Sequence, residues 1–216
     1  LSATFNWQGT GGVQVTPYYS YIDDYIDAER LPTSVGVTDP EQEVYLKFVN
    51  ESAKIYGIDI SGHYPLAKHT AYGSLTATGL INYVRGKNED THDNLINMMP
   101  LNGRFAIVQN KGVWTNTLEL ELVDKKDKVS ETRNELETSG YGLLNLRSHY
   151  EWKNISIDAG IENVLDKYYE DPLGGVYMGE GVTMTGTNPD PTKPYVKRVS
   201  APGMGRSIYV GLSYKF

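Results

Sequence analysis

Cysteine is absent from this 216-residue chain, which excludes disulfide bonds, thiol chemistry and cysteine-ligated metal sites. Long hydrophobic runs are absent too, because no stretch approaches the roughly 18 consecutive apolar residues of a transmembrane helix. Basic residues are outnumbered by acidic ones, and the formal net charge is -7. Surfaces that bind nucleic acid are basic, so this balance argues against nucleic acid as a partner.

The composition favours strands joined by turns. The chain has 17 tyrosines, 22 glycines and 10 prolines but only 4 phenylalanines. The pattern is clearest in the stretch GRSIYVGLSYKF, residues 205–216, where every second residue is apolar or aromatic and the residues between are mostly small or polar. A strand of this kind has one apolar face and one polar face.

About nine segments show this alternation: 1–8, 13–21, 43–64, 74–83, 102–110, 114–122, 141–151, 155–161 and 205–216. Their connections alternate strictly between short turns (9–12, 65–69, 110–112 and 152–154) and long polar loops (25–42, 86–94, 124–139 and 165–204). Outer-membrane barrels have short periplasmic turns and long external loops, whereas soluble sandwiches mix their loop lengths. The sequence therefore predicts an all-β, antiparallel transmembrane barrel segment of about nine strands.

Alternation alone does not decide where the apolar face points. A soluble lipocalin-like barrel buries it around a cavity, and a membrane barrel turns it to lipid. Charged residues concentrate on the polar face: Glu119, Glu121, Arg147, Asp158, Glu162 and Lys215. Aromatic residues lie beside the short turns, where an interfacial girdle is expected: Trp7, Tyr64, Trp114 and Trp152. Together with the loop lengths, this favours the membrane.

Two C-terminal stretches, AGIENVLDKYYEDP (159–172) and PGMGRSIYVGLSYKF (202–216), resemble the end of TonB-dependent outer-membrane receptors. The matching residues are Asn163, Leu165, Asp166, Lys167, Tyr169, Gly205, Arg206, Gly211, Tyr214 and Phe216. Residues 18–26 and 50–60 are also similar to that family, with Asp59 where it usually has Glu. Residues 172–187 are similar, more weakly, to its copper-receptor-like branch.

The resemblance implies a barrel of roughly 22 strands closed around an N-terminal plug domain. Residues 1–216 then form the C-terminal portion of the barrel domain, with the plug and the earlier strands absent. Nine strands left open expose two edges that lipid cannot satisfy, so we expect a fragment of a larger barrel.

The resemblance also implies a function. The whole protein is expected in the bacterial outer membrane, binding a metal or metal-chelate at the cell surface and importing it in a TonB-dependent manner, with copper as one candidate. The implied partners are membrane lipid, lipopolysaccharide, the plug and remaining strands, and TonB through the missing N-terminal part. The protein is not expected to be an enzyme, and no cofactor is predicted.

Several residues are candidates for particular roles. By resemblance, an assembly signal comprises Val210, Leu212, Tyr214 and Phe216. Weak candidate metal ligands, of the thioether and imidazole types that suit Cu(I), are His92, Met98, Met99, Met178 and Met184. Loose packing of loop methionines is the favoured alternative for them.

Other functions stay open at this point. They are a soluble lipocalin-like binder of small ligands, a small outer-membrane porin, and an outer-membrane enzyme that pairs His149 with Ser148 or Asp158. Acidic residues also cluster in the loops, where they either hold divalent cations between lipopolysaccharides or are simply solvated.

Overall fold

The computed structural model describes residues 1–37, 44–180 and 196–216, with the backbone alone for residues 176–180 and 196–199. The strands in these ranges are β1 (Phe5–Gln8), β2 (Gly12–Arg30), β3 (Leu46–Thr70), β4 (Gly73–Asn88), β5 (Asn102–Lys111), β6 (Trp114–Val123), β7 (Tyr141–Trp152), β8 (Ile155–Glu162), β9 (Val176–Glu180), β10 (Val196–Ser200) and β11 (Ser207–Tyr214). A single 3-10 turn covers Pro32–Ser34 in the same ranges. None of the helical residues described forms a helix that could cross a membrane.

Nine of these strands form one antiparallel sheet in the order β1-β2-β3-β4-β5-β6-β7-β8-β11. Each strand pairs with the next along the chain, except that the small β9–β10 hairpin comes between β8 and β11. This meander follows from the sequence, because each alternating segment pairs with its neighbour through the connection between them. The prediction of an all-β, nine-stranded antiparallel segment is confirmed.

The short and long connections lie at opposite ends of the sheet. Turns of two or three residues join β1 to β2, β3 to β4, β5 to β6 and β7 to β8, and we call their side the short-turn end. The connections β2–β3, β4–β5, β6–β7 and β8–β11 lie at the other side, the long-loop end. The predicted alternation of turns and loops is therefore present.

Several predicted boundaries were wrong. Strand β4 continues to Asn88, into the predicted loop 86–94, and the β9–β10 hairpin lies within the predicted loop 165–204. Strand β3 runs through the predicted turn 65–69 to Thr70, with register irregularities after Pro65, and the chain reverses at residues 71–72. Strand β2 runs through the start of the predicted loop 25–42 to Arg30. Its register shifts between Ile22 and Tyr25, which hides the regular alternation from a sequence reading.

The two faces of the sheet differ as the alternation predicts. On β11 the apolar residues are strongly exposed, with Ile208 at 73%, Val210 at 74% and Leu212 at 73% of full accessibility. Exposed apolar residues also follow β6 at Leu118, Leu120 and Leu122. We call this side the apolar face and the opposite side the polar face. A lipocalin-like fold would bury the apolar side chains, whereas here they are accessible.

The buried apolar residues are few and lie toward the long-loop end: Ala28, Ala53, Leu95, Val123 and Leu143. Leu95 belongs to the β4–β5 loop and lies over Gly86, whose missing side chain leaves the space it fills. The loops thus fold against the end of the sheet, and in the described residues this is where the chain makes its small core.

Candidate functional site

An ion network occupies the polar face across β6, β7 and β8. The Arg147 guanidinium on β7 binds both carboxylate oxygens of Glu162, at 2.8 and 3.0 Å, and one oxygen of Glu119 at 3.1 Å. The amide of Asn145 also donates to Glu119, at 3.1 Å. The alternation places all four side chains on this face. Two carboxylates share one cation, which leaves a local negative charge.

A His–Asp pair lies on the same face nearer the short-turn end. His149 Nδ1 is 2.7 Å from Asp158 Oδ1 across β7 and β8. Ser148 points to the apolar face, where its hydroxyl donates to Asn116 at 2.7 Å. The structure therefore joins His149 to Asp158 but separates it from Ser148. The pairing of His149 with Ser148, raised for a hydrolytic enzyme, was wrong, because neighbouring strand residues face opposite ways.

The long-loop end carries a second polar network, centred on Asn88 at the end of β4. Asn88 is 1% exposed, and its side-chain amide donates to Asp27 at 2.8 Å and to the Glu51 carboxylate. The Arg133 guanidinium, from the β6–β7 loop, is 3.0 Å from the other Asp27 oxygen. One buried amide and one arginine thus tie β2, β3, β4 and a long loop together.

Asp93 joins the β4–β5 loop to the β6–β7 loop. Its carboxylate accepts hydrogen bonds from the Ser130 hydroxyl at 3.0 Å and from the backbone N–H groups of Glu131 and Thr132 at 3.0 and 2.9 Å. Burial alone would raise the pKa of Asp93, but these hydrogen bonds outweigh it and hold that pKa below its ordinary value. The carboxylate therefore clamps the two loops while it is ionised.

A buried ion pair completes the loop assembly, which we call the loop platform and define by Asp27, Asn88, Asp93, Lys126, Arg133 and Glu135. Lys126 Nζ is 2.6 Å from Glu135 Oε1 and donates to the Pro172 carbonyl at 2.7 Å. The second Glu135 oxygen accepts from the Ser130 N–H at 2.8 Å. The β8–β11 connection is thereby fastened to the β6–β7 loop, and the platform is pre-organised.

The predicted metal ligands are not gathered into one cluster in the described part of the chain. His92 is exposed in the β4–β5 loop, while the Met98 sulfur lies close to Gly86 in the loop core, and Met99 is half-buried. Met178 belongs to β9, where only the backbone is described, and Met184 lies outside the described residues. No group of three His, Asp or Glu residues suited to a metal occurs in the described ranges.

The residues that carry the resemblance form the junction after β8. Asn163 is 2% exposed; its side chain accepts from the Lys167 N–H and donates to the Lys167 carbonyl, both at 2.8 Å. Asp166 accepts from the Arg206 N–H at 2.9 Å. The Asn163 bonds hold the turn that follows β8, and the Asp166 bond joins that turn to the segment that follows the β9–β10 hairpin.

The remaining motif residues differ in their surroundings. Tyr169 stacks near Tyr141, with ring centroids 4.3 Å apart, and covers Gly203, where a Cβ would clash with the ring. Leu165 and Gly205 are exposed, and a Cβ at Gly205 would lie at an ordinary contact distance, 3.5 Å, from the Asp166 carboxylate. The motif thus combines buried polar and aromatic anchors with two exposed positions.

The aromatic residues named for a girdle lie on the apolar face near the short-turn end. The Trp114 and Tyr150 rings are 4.6 Å apart, and the Lys153 ammonium lies 4.6 Å from the centre of the Trp152 ring. Trp7 and Tyr64 are exposed on β1 and β3. The terminal-strand residues Val210, Leu212 and Tyr214 share this face, and the Phe216 ring contacts the Tyr214 ring edge-on at 5.3 Å.

A second aromatic row was missed by the sequence analysis. It lies on β2, β3 and β4 toward the long-loop end: Tyr19 pairs with Tyr56, Tyr56 pairs with Arg85, and Tyr83 lies one row nearer the middle of the sheet. Alternation in the sequence already places these tyrosines on the apolar face, but only the register of the three strands shows that they are neighbours. The β3 segment from Tyr56 to Tyr64 is nine residues long, a length that spans the apolar part of a bilayer.

Comparison with known proteins gives a family match over most of the chain. The model of "TonB dependent receptor-like, beta-barrel" matches residues 1–164. The heme/hemopexin utilization protein C of Haemophilus influenzae (strain 86-028NP) is 23% identical over 184 residues, covering 78% of this chain and 24% of that protein.

Solved structures share the fold. The copper transporter OprC has a TM-score of 0.75 at 18% identity, covering 100% of this chain and 30% of its own. The ferric yersiniabactin uptake receptor FyuA of Yersinia pestis has a TM-score of 0.61 at 13% identity, with 100% and 29% covered. The FrpB iron transporter of Neisseria meningitidis has a TM-score of 0.61 at 17% identity, with 100% and 30% covered.

The chain therefore spans less than a third of the length of each of these relatives. The family match covers well over half of this chain, and the open nine-stranded sheet has the fold of the matching barrels. The chain belongs to the TonB-dependent receptor β-barrel family of the bacterial outer membrane.

Proposed function

We propose that residues 1–216 are the C-terminal wall of a larger barrel that closes around a plug domain. Among the described residues, β1 and β11 each pair on one side only. Unpaired strand edges are costly in lipid because nothing there satisfies the backbone N–H and C=O groups. Further strands of a longer protein would pair with both edges. The intact mass of the protein extracted from its native membrane tests this: a mass near 24 kDa would contradict it.

We also propose that the whole protein binds a metal or metal complex at the cell surface and imports it with energy from TonB. This proposal is supported by the relatives, which are a heme utilization protein, a copper transporter, a ferric yersiniabactin receptor and an iron transporter, so all four are described as handling a metal or a metal complex. The protein would act as a transporter and not as an enzyme. TonB and the plug are its expected partners, both reached through the part of the protein that precedes these residues.

The residues described have distinct parts in this function. The apolar face lies against lipid, and the polar face lines the lumen. The network of Glu119, Arg147 and Glu162 carries excess negative charge, so it suits contact with basic side chains of the plug. The loop platform holds the long loops in fixed positions around the mouth through which the ligand enters.

The experiment is an uptake assay in cells that lack the gene, complemented with the intact protein. Radiolabelled heme, ferric siderophores and copper are supplied separately, with and without functional TonB. We expect accumulation of one of these ligands that needs both the protein and TonB. Equal accumulation of all ligands with and without the gene, or uptake independent of TonB, would contradict the proposal.

Copper is a second, narrower candidate. It is favoured by the fold likeness to the copper transporter OprC and by the position of His92, Met98 and Met99 in one loop. In the same assay, copper would be the ligand whose uptake needs the gene, and the paired substitutions Met98→Leu and Met99→Leu would reduce it while conserving side-chain volume. Unchanged copper uptake by this variant would remove these methionines from the account.

A further inference from the structure

The apolar face of β2, β3 and β4 changes in composition toward the long-loop end. Paired residues form rows across the three strands, and successive rows are Val15–Ile60–Ile81, Pro17–Ile58–Tyr83, Tyr19–Tyr56–Arg85 and Tyr21–Lys54–Lys87. Aliphatic residues thus give way to tyrosines and then to three basic residues. This order matches the passage from acyl chains through the interface to charged headgroups.

The basic residues are held at this level by specific contacts. The Arg85 guanidinium carbon lies 5.4 Å from the centre of the Tyr83 ring, and Arg85 Nε donates to the Tyr83 hydroxyl at 3.3 Å. Lys54 Nζ is 2.7 Å from a Glu89 oxygen. No carboxylate of the described residues makes a salt bridge with Arg85 or Lys87. Two of the three cations are therefore available to an external anion.

The acidic neighbours do not cancel this charge. Glu89 is occupied by Lys54, and Asp90 accepts a hydrogen bond from the Ser52 N–H at 2.6 Å. Both lie beyond the basic row, at the start of the β4–β5 loop. Asp23 and Asp24 lie beyond it too, at the register shift of β2. The chain has a net charge of -7, so an Arg and a Lys without salt bridges, two residues apart on one face, form a local patch of positive charge on an acidic protein. On a strand, this spacing puts the two groups about 7 Å apart.

We propose that Arg85 and Lys87 bind the phosphate groups of a lipopolysaccharide molecule in the outer leaflet, with its acyl chains lying along the rows of Ile58, Ile60 and Ile81. Lys54 lies beside them but is paired with Glu89. An arginine offers paired N–H groups to phosphate oxygens, and lysine adds a point charge. We assign the phosphate groups to lipopolysaccharide because the site lies at the long-loop end, which faces the outer leaflet in this family's barrels. The proposal rests on that orientation and not on the imported ligand.

The chain offers a matched control at the opposite rim. Lys111 ends β5 on the same apolar face but at the short-turn end, beside Trp114. It is exposed and carries the same charge as Lys87. A substitution there removes one cation from the lipid-facing surface without touching the proposed site.

The test measures binding of purified lipid A that carries both phosphates to the intact protein in mild detergent, by native mass spectrometry. We expect Arg85→Ala together with Lys87→Ala to weaken binding about 30-fold, at roughly fivefold for each cation near the headgroups. Lys111→Ala should change it less than twofold. Dephosphorylated lipid A should bind the unmodified protein as weakly as phosphorylated lipid A binds the double variant, a comparison that requires no substitution.

Three results would overturn the proposal. They are equal binding by the double variant, equal binding of dephosphorylated lipid A, and equally tight binding of phosphatidylglycerol, which would make the site one for any anionic lipid. Arg85→Lys with Lys87→Arg keeps the charge and should retain most of the affinity. The measurement needs neither TonB nor a transported ligand, so failure of the proposed import would leave its outcome unchanged.

Discussion

Replacing Asp93 by Asn should release the β6–β7 loop from the β4–β5 loop. One Asp93 oxygen accepts from the Ser130 hydroxyl and the Thr132 N–H, and the other accepts from the Glu131 N–H. An amide keeps one acceptor oxygen and turns an NH2 group toward donors that need an acceptor. Loss of two charge-assisted hydrogen bonds costs about 3 kcal/mol for closing the loop.

The assay is hydrogen–deuterium exchange of the intact protein in lipid nanodiscs. The backbone amides of Glu131 and Thr132 are protected by Asp93, so a cost of about 3 kcal/mol should speed their exchange roughly a hundredfold. Asp127→Asn is the control, because Asp127 lies in the same loop and contacts Lys125 at 3.0 Å. It removes an equal charge and should leave that exchange unchanged. Equal exchange in Asp93→Asn and the unmodified protein would refute the clamp.

Three further outcomes follow from individual contacts. Acidification should also release the Asp93 hydrogen bonds. The pKa of Asp93 in the folded protein lies below its reference value of 3.8, so the stabilisation is complete above pH 3.8 and is lost as the pH falls through that lower pKa. Hydrogen–deuterium exchange of Glu131 and Thr132, measured as a function of pH, will show this loss. Asn163→Ala should lower the free energy of unfolding by about 2 to 3 kcal/mol, since it removes two partly buried hydrogen bonds to Lys167. Denaturant titration measures this, with exposed Leu165→Ala expected to have little effect. Gly73→Ala should cost about 1 to 3 kcal/mol in the same titration, because φ is +97° there and a Cβ would meet the Asn110 carbonyl oxygen. An unchanged midpoint would contradict the requirement for glycine at this position.

The strand pattern could be predicted because it depends on local chemistry. Every second residue of the segment ending at Phe216 is apolar, and the observed β11 places those residues on one exposed face. Turn positions were less predictable, because the turn expected at Pro65 forms instead at residues 71–72, just before Gly73. Strand β3 continues past Pro65 because that residue sits at a register irregularity, where its missing N–H is tolerated.

The polar networks could not be predicted, because their members are far apart in sequence. Arg133 meets Asp27 across 106 positions, and Asp93 meets Thr132 across 39. Alternation predicted that Arg147 and Glu162 share a face, but their pairing depends on the register of β7 against β8. Family resemblance singled out Asn163 and Asp166 without showing that they fasten the last loop.

The orientation of the two faces is the central claim, and nitroxide scanning of β6 tests it most directly. Single cysteines are introduced from Thr117 to Leu122 into the intact protein in its membrane, with any native cysteines replaced first. Collision rates with oxygen, which dissolves in lipid, and with a water-soluble nickel chelate are then compared. We predict that residues 118, 120 and 122 collide mainly with oxygen and residues 117, 119 and 121 mainly with nickel. The opposite phase, or apolar positions shielded from both reagents, would contradict a lipid-facing wall.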